Sequence, residues 1–289
     1  MQFSSSIEYA RPFDQHRGLL FSIAYRMLGS VADAEDILQE TFIRWLQASG
    51  DEIRSPKAFL ITIITRLCIN YLQSARVRRE EYVGQWLPEP LVSDEGSDPD
   101  SLSIAFLVLL ERLNPTERAV FLLREVFDYE YAEIATALGQ SEANCRQILR
   151  RARQHVRAER PRFRASEDEH DILLERFQQA ATSGDVGVLE ALLSADVVLH
   201  TDGGGKAPAL PNLVQGANNV ARAIVGGITR LTPRNLVQRI VQINGEPGIV
   251  TYLNGRPFGV FTIQIREGHI AAVYAITNPD KLSHLPGLS

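Results

Sequence analysis

Between Ser141 and Arg164 the chain carries eight arginines and two glutamates, a local charge of +6 in a protein whose formal net charge is −5. Inside that stretch Asn144, Arg146, Gln147, Arg150, Arg151 and Arg153 alternate with Cys145, Ile148 and Leu149. On a helix the apolar set turns inward and the polar set, with Glu142, turns outward. Asn, Gln and Arg pair bidentately with base edges in a DNA major groove, and Arg also clasps phosphate. The chemistry implied is recognition, with no bond made or broken.

A reading helix needs a second helix to brace it, and one is written just upstream, in Tyr131 to Arg153. Ala135 is small enough to let two helices cross closely. Gly139 follows four residues on, where the chain must turn and a positive φ costs least. Ser141 is a good N-cap for the next helix. Ile134 and Leu138, with Cys145, Ile148 and Leu149, supply the contacts between the helices. The competing reading is an ordinary αα-hairpin with a solvated basic face. The order of small residue, turn, cap and basic face favours a helix-turn-helix.

At 289 residues the chain is long enough for two or three domains. Its 45% hydrophobic and 22% charged content is that of a soluble globular protein. Only Cys68 and Cys145 occur, so no disulfide framework or zinc cluster is expected, which fits a reducing cytoplasm. The N-terminus has no signal-peptide pattern, and no apolar run reaches the length of a membrane span.

Upstream, Leu19, Leu20, Ile23, Ala24, Met27 and Leu28 form one stripe that ends at Gly29-Ser30. From Asp33 to Gln47, an inner face of Ala34, Ile37, Leu38, Thr41, Phe42, Trp45 and Leu46 opposes an outer face of Asp33, Asp36, Gln39, Glu40 and Arg44. A third helix opens at Pro56. Arg66, Asn70, Arg76, Arg78 and Arg79 gather toward its end, near Tyr71 and Tyr82. Cations interleaved with aromatics suit unpaired DNA bases and their phosphates. A basic helix end that complements the helix dipole is the alternative.

These blocks carry a resemblance. DAEDILQETFIRW, followed by PKAFLITIITRLCINYLQSARVRRE, looks like region two of an extracytoplasmic-function sigma factor. NPTERAVFLLREVFDYEYAEIATALGQSEANCRQILRRARQHVR, from Asn114 to Arg157, is similar to region four of that family. Gln140, usually apolar there, and Cys145, usually Val, depart from the family pattern and are expected to loosen the inter-helix packing slightly.

Residues 83 to 100 link the two blocks. WLPEPL, with prolines at 88 and 90, should run extended. Four acids follow between Ser93 and Asp100. From about Asp168 the pattern changes. Helices are expected over 172–180, 186–193 and 217–226, and a strand over 197–201. Strands follow at 236–243, 249–253, 258–265 and 270–276, separated by Gly-, Asn- and Pro-rich turns. This order resembles a SnoaL-like domain, a curved sheet wrapped on helices into a cone. DGGGK (Asp202, Gly203, Gly204, Gly205, Lys206) and NPDKL (Asn278, Pro279, Asp280, Lys281, Leu282), together with WLPEPL, look like the marks of sigma factors with a fused SnoaL-like extension. Three glycines make a loop that another surface can approach closely, with Asp202 and Lys206 flanking free N–H groups; a flexible hairpin tip is the competing reading.

The expected architecture is multidomain: an all-α region two over 1–82, a linker over 83–100, an all-α region four over 101–164, and an α+β cone over 168–289. The resemblance implies an initiation factor that is not an enzyme and has no cofactor or metal. Its partners would be RNA polymerase core, through Asp33, Asp36, Gln39, Glu40 and Arg44, and promoter DNA, through the basic sets on both blocks. It also implies an intramolecular contact of the C-terminal domain with the sigma domains, made by Trp86, Leu87, Pro88, DGGGK and Asn278, Pro279 and Asp280. Two other readings make the cone an enzyme, with His200, Asp202, Tyr252, His269 and Tyr274 as acid–base candidates, or a small-molecule sensor.

Overall fold

The computed structural model describes residues 2–48, 53–80, 82–93, 102–157, 166–231 and 235–288, with the side chains of 2–10, 75–80, 93, 157, 167, 230 and 231 outside the description. The acidic run after Ser93 and the expected boundary at Arg164 therefore lie outside the described residues. In chain order the elements begin with α1 (Gln2–Leu28), α2 (Val31–Gln47), α3 (Pro56–Glu80), β1 (Val92–Ser93) and α4 (Ile104–Leu110). Then come α5 (Pro115–Glu125), α6 (Tyr131–Leu138), α7 (Glu142–Arg157), α8 (Glu167–Ser183) and α9 (Val186–Leu192). The last part contains β2 (Leu193–Asp202), β3 (Val214–Gln215), α10 (Ala217–Leu231), β4 (Leu236–Ile243), β5 (Glu246–Leu253), β6 (Arg256–Arg266), β7 (His269–Ile276) and α11 (Pro279–Leu282).

Two compact units result: Met1–Glu80 with Leu109–Glu159, and Glu81–Val108 with Arg160–Ser289. The linker expected between the two helical blocks thus falls with the C-terminal domain, as does the start of the second block up to Val108, while the rest of the two blocks shares one unit.

In the helical unit the helix starts are chemically specified. Ser30 caps α2 by accepting from the Asp33 amide at 3.2 Å. Asn114 and Glu117 form a reciprocal capping box at the start of α5, with Pro115 in its first turn. The stripe from Leu20 to Leu28 is buried as expected, as are Ala34, Ile37, Leu38, Thr41 and Trp45 of α2. Leu46 is not part of that inner face: it is 48% exposed, and Ile43 is as well. Trp45 instead fills the space against Phe59 of α3, and Phe42 packs on Phe13 of α1. Region-two and region-four helices meet through cations. Arg118 of α5, almost fully buried, donates to the Met27 carbonyl at 2.7 Å and to Glu111 at 2.7 Å. Arg26 lies 5.0 Å from the Phe127 ring and Lys57 lies 5.4 Å from that of Tyr129.

In the second unit one seven-stranded sheet runs β1-β4-β5-β6-β7-β2-β3. β4 to β7 form the antiparallel meander that the turns foretold. Asn244-Gly245, Asn254-Gly255 and Glu267-Gly268 all hold positive φ at both positions, the turn that matches strand twist. β2 departs from an all-antiparallel plan by pairing parallel with β7, with His200 opposite Tyr274 and Asp202 opposite Ile276. One sheet face carries α8, α9 and α10 and is filled by Leu174, Phe177, Leu189, Val197, Val220 and Val273. The opposite face packs Val250, Tyr252, Val260, Tyr274 and Ile276 against Leu87, Ile104, Leu282 and Leu285. Leu87 of the linker and Ile104, at the start of the region-four block, thus help close the second core.

Candidate nucleic-acid interface and linker clamp

The helix-turn-helix forms as its sequence requires. Gly139 ends α6 at φ 66°, and its neighbour Gln140 returns an amide to the Ala135 carbonyl at 2.9 Å. Ser141 accepts from the Asn144 amide at 3.2 Å. Cys145, Ile148, Leu149, Ala152 and Val156 are buried along one side of α7. Cys145 is wholly buried and Gln140 is exposed, where it accepts from the Asn144 side chain at 2.7 Å. Burial pushes the Cys145 thiol above its usual range, so it behaves as a small apolar residue.

On the outer side Arg146, Gln147, Arg150, Arg151 and Arg153 are exposed, and Asn144 is half-buried. Arg146 pairs with Glu142 at 2.8 Å and Arg153 with Glu125 at 2.6 Å. Arg150 and Arg151 have no partner among the described residues.

On α2, Asp36, Gln39 and Arg44 are exposed, and Glu40 pairs with Arg44 at 2.8 Å. Asp33 turns back instead and accepts from the Tyr71 hydroxyl at 2.5 Å. On α3, Asn70 is exposed. Arg66 reaches α6, donating to the Ala137 carbonyl at 2.8 Å and the Thr136 carbonyl at 3.4 Å. A cation at these C-terminal carbonyls meets the negative end of the helix. The side chains of Arg76, Arg78 and Arg79 lie outside the described residues. Tyr82 does not join this basic end; it belongs to the second unit.

There the three motifs converge. Asp202, fully buried, receives four donors: the Tyr82 hydroxyl at 2.6 Å and the Gly204 amide at 3.0 Å on one oxygen, the Leu87 amide at 2.8 Å and Lys281 Nζ at 2.7 Å on the other. Four donors saturate a carboxylate's acceptor capacity. Lys281 also donates to the Leu87 carbonyl and lies 4.2 Å from the Trp86 ring and 5.1 Å from that of Tyr82. Asn278 donates to the Tyr82 hydroxyl at 2.8 Å. Burial and the Asp202 charge raise the Tyr82 phenol above its usual range, so it stays protonated and donates. Further along, Leu91 and Asn244 exchange two hydrogen bonds at 2.8 and 2.9 Å, and His284 contacts the Pro90 carbonyl at 2.8 Å. Val92 then pairs with Ile243.

Two of the glycines sit where a Cβ would crowd a neighbour. A Cβ on Gly205, held at φ 70°, would stand 3.1 Å from Val83, and one on Gly204 would collide with Asn278. The loop's N–H groups are not all free, however. Gly204 gives its amide to Asp202, and Lys206 and Ala207 give theirs to the Gly203 carbonyl. Lys206 and Asp280 form an exposed ion pair at 2.5 Å, while Pro279 opens α11. Tyr82, which reads from sequence as part of the basic end of α3, is a clamp residue instead.

Of the acid–base candidates, Asp202 is taken up by Tyr82 and the Leu87 amide. Tyr252 and Tyr274 belong to the face that carries Leu87, not to the helix-covered face. His200 stacks on Tyr274 at 4.9 Å, and His269 is exposed at the start of β7. His170 of α8, which the sequence did not single out, is buried with Nδ1 unpartnered among the described residues, and burial lowers its pKa. Among the described residues no cluster of His, Cys, Asp and Glu could hold a metal, and no helix is long and apolar enough to cross a membrane.

Residues 13–78 match Sigma-70 region 2 and residues 103–156 match Sigma-70, region 4. The ECF RNA polymerase sigma factor SigJ of Mycobacterium tuberculosis H37Rv is 37% identical over 292 residues, covering 95% of this chain and 93% of SigJ. The probable ECF RNA polymerase sigma factor SigI of the same species is 30% identical over 279 residues, covering 93% of each chain. The crystal structure of SigJ aligns with a TM-score of 0.76 at 35% identity, over 94% of this chain and 97% of that one. That coverage includes the C-terminal unit as well as both helical blocks. The chain belongs to the extracytoplasmic-function RNA polymerase sigma factors, which direct promoter-specific initiation, and to those that carry a SnoaL-like domain fused behind region four.

Proposed function

We propose that the SnoaL-like domain regulates this sigma factor from within the chain, by controlling the segment that joins region two to region four. The observation that carries the reading is Asp202, buried and saturated by donors of which two, Tyr82 and the Leu87 amide, come from that segment. Free and extended, about 20 residues reach up to roughly 70 Å. Docked, the segment's residues 82–93 have one path. Recognition of two promoter elements requires the two regions to take up the promoter spacing, so docking of the segment and promoter engagement oppose each other. An intramolecular partner acts at an effective concentration of up to about millimolar, so a modest interface keeps the segment docked. A ligand shifts that balance only by its differential affinity for the two forms.

In this reading Asp36, Gln39, Glu40 and Arg44 meet core polymerase, with Asp33 bracing Tyr71. Asn144, Arg146, Gln147 and Arg150 meet the upstream element, and Arg151 and Arg153 hold its phosphates. Asn70 and the basic end of α3 hold the melted strand, and Arg66 joins them when it releases α6. The domain works as a binding partner and not as a catalyst. Its place of work is the cytoplasm.

The test is run-off transcription by core polymerase with full-length protein and its Asp202→Ala, Trp86→Ala and Gly205→Val variants. All three are expected to shift transcription severalfold in the same direction. Activity equal to wild type in all three would remove the reading and reopen the sensor and enzyme alternatives.

A further inference from the structure

Four of the cations on α7 differ in how they are held. Arg150 and Arg151 extend without partners among the described residues, and Arg153 has one exposed pairing. Arg146 is fixed from two directions. Its Cζ lies 4.7 Å from the centre of the Tyr131 ring, and its Nη2 donates to Glu142 at 2.8 Å. The ring itself is anchored. Tyr131 opens α6 directly behind Glu130, whose capping box with Glu133 fixes that helix start. A second guanidinium, that of Arg124, lies 5.2 Å over the same ring and is tied to the Tyr129 carbonyl at 2.8 Å and to Glu130 at 3.1 Å.

We infer that Tyr131 is a positioning residue for promoter recognition, holding the Arg146 guanidinium in the plane from which α7 meets a guanine of the upstream element. The inference rests on the proposed reading of Arg146 as a base contact. Arg146 is the fifth residue of α7, within the N-terminal part that reaches base edges when such a helix enters the major groove. A guanidinium has five N–H donors in a planar fork, and Glu142 occupies one edge. The side chain that carries the remaining donors is 55% exposed. Guanine O6 and N7 are the acceptors that this fork matches bidentately. Holding a rotamer-rich side chain before DNA arrives removes part of the ordering cost at binding. That gain goes to the correct base pair alone, so it appears as specificity. The unheld Arg151 contributes mainly salt-sensitive affinity for any sequence.

Holoenzyme assembled from full-length protein and core polymerase is presented with promoter duplexes whose upstream element is randomised, and bound duplexes are sequenced. Arg146→Ala is expected to erase preference at one G·C position. Tyr131→Leu, which keeps bulk at this half-buried site, should reduce the same preference about 5- to 10-fold with an unchanged salt slope. Tyr131→Phe, which keeps the ring, should retain it. In the Arg146→Ala background, Tyr131→Leu should change nothing further. An equal loss from Tyr131→Leu with and without Arg146 would overturn the inference by making Tyr131 a packing residue. Preference intact at every position in Arg146→Ala would instead overturn the reading of Arg146 on which it rests.

Discussion

Two ion pairs of this protein use the same chemistry in opposite surroundings. In the helical unit, Arg153 and Glu125 meet at 2.6 Å with side chains 45% and 29% exposed. In the second unit, Lys281 and Asp202 meet at 2.7 Å with side chains 6% and 0% exposed. The exposed pair exchanges little free energy with water and can be broken by a phosphate at small cost. The buried pair has left water altogether and is tolerable only because amides, a hydroxyl, a carbonyl and two rings replace it. The first arrangement suits a surface that must change partners. The second suits a lock that is either fully made or open.

The largest effect expected from this contrast is at the lock. Lys281→Met leaves a buried carboxylate without its cation and should cost the second unit about 3–5 kcal/mol, read by chemical denaturation. Asp202→Leu combined with Lys281→Met should recover most of that loss, because no lone charge remains. A loss of under 1 kcal/mol from Lys281→Met would mean that the pair is already solvated. At the other end of the scale, Arg153→Ala should change stability by only about 0–1 kcal/mol. It should nevertheless weaken promoter binding for all sequences and flatten the salt dependence by roughly one unit. A large stability loss without a change in salt slope would make Arg153 a structural residue and erase the contrast.

Features set by neighbours in the chain were legible from sequence. Gly139 with Ser141 specified a turn and a cap, and the Asn-Gly turns specified the meander, because each acts within a few residues. What escaped depends on distant partners. Lys281 meets Asp202 across 79 residues, and Tyr82 meets it across 120. Nothing local told Tyr82 apart from Tyr71 beside the same basic run. The parallel pairing of β2 with β7 has no turn of its own to announce it. Arg66 reads as a DNA contact by its place on α3, yet its acceptor is a carbonyl 71 residues away. Leu46 fits helical spacing as well as Trp45 does, and only the larger ring's packing on Phe59 decides which one is buried. Of the candidate site, the glycine loop was legible as a place of close approach, while the residues that close over it were not.

Hydrogen exchange of the peptide spanning Tyr82 to Val92 tests the central claim most directly, because its Leu87 and Leu91 amides donate to Asp202 and Asn244. Full-length protein alone should protect this peptide strongly, and holoenzyme bound to its promoter should exchange it at least about tenfold faster, as opening of the docked segment implies. Equal protection in the two states would contradict control by docking and release of this segment.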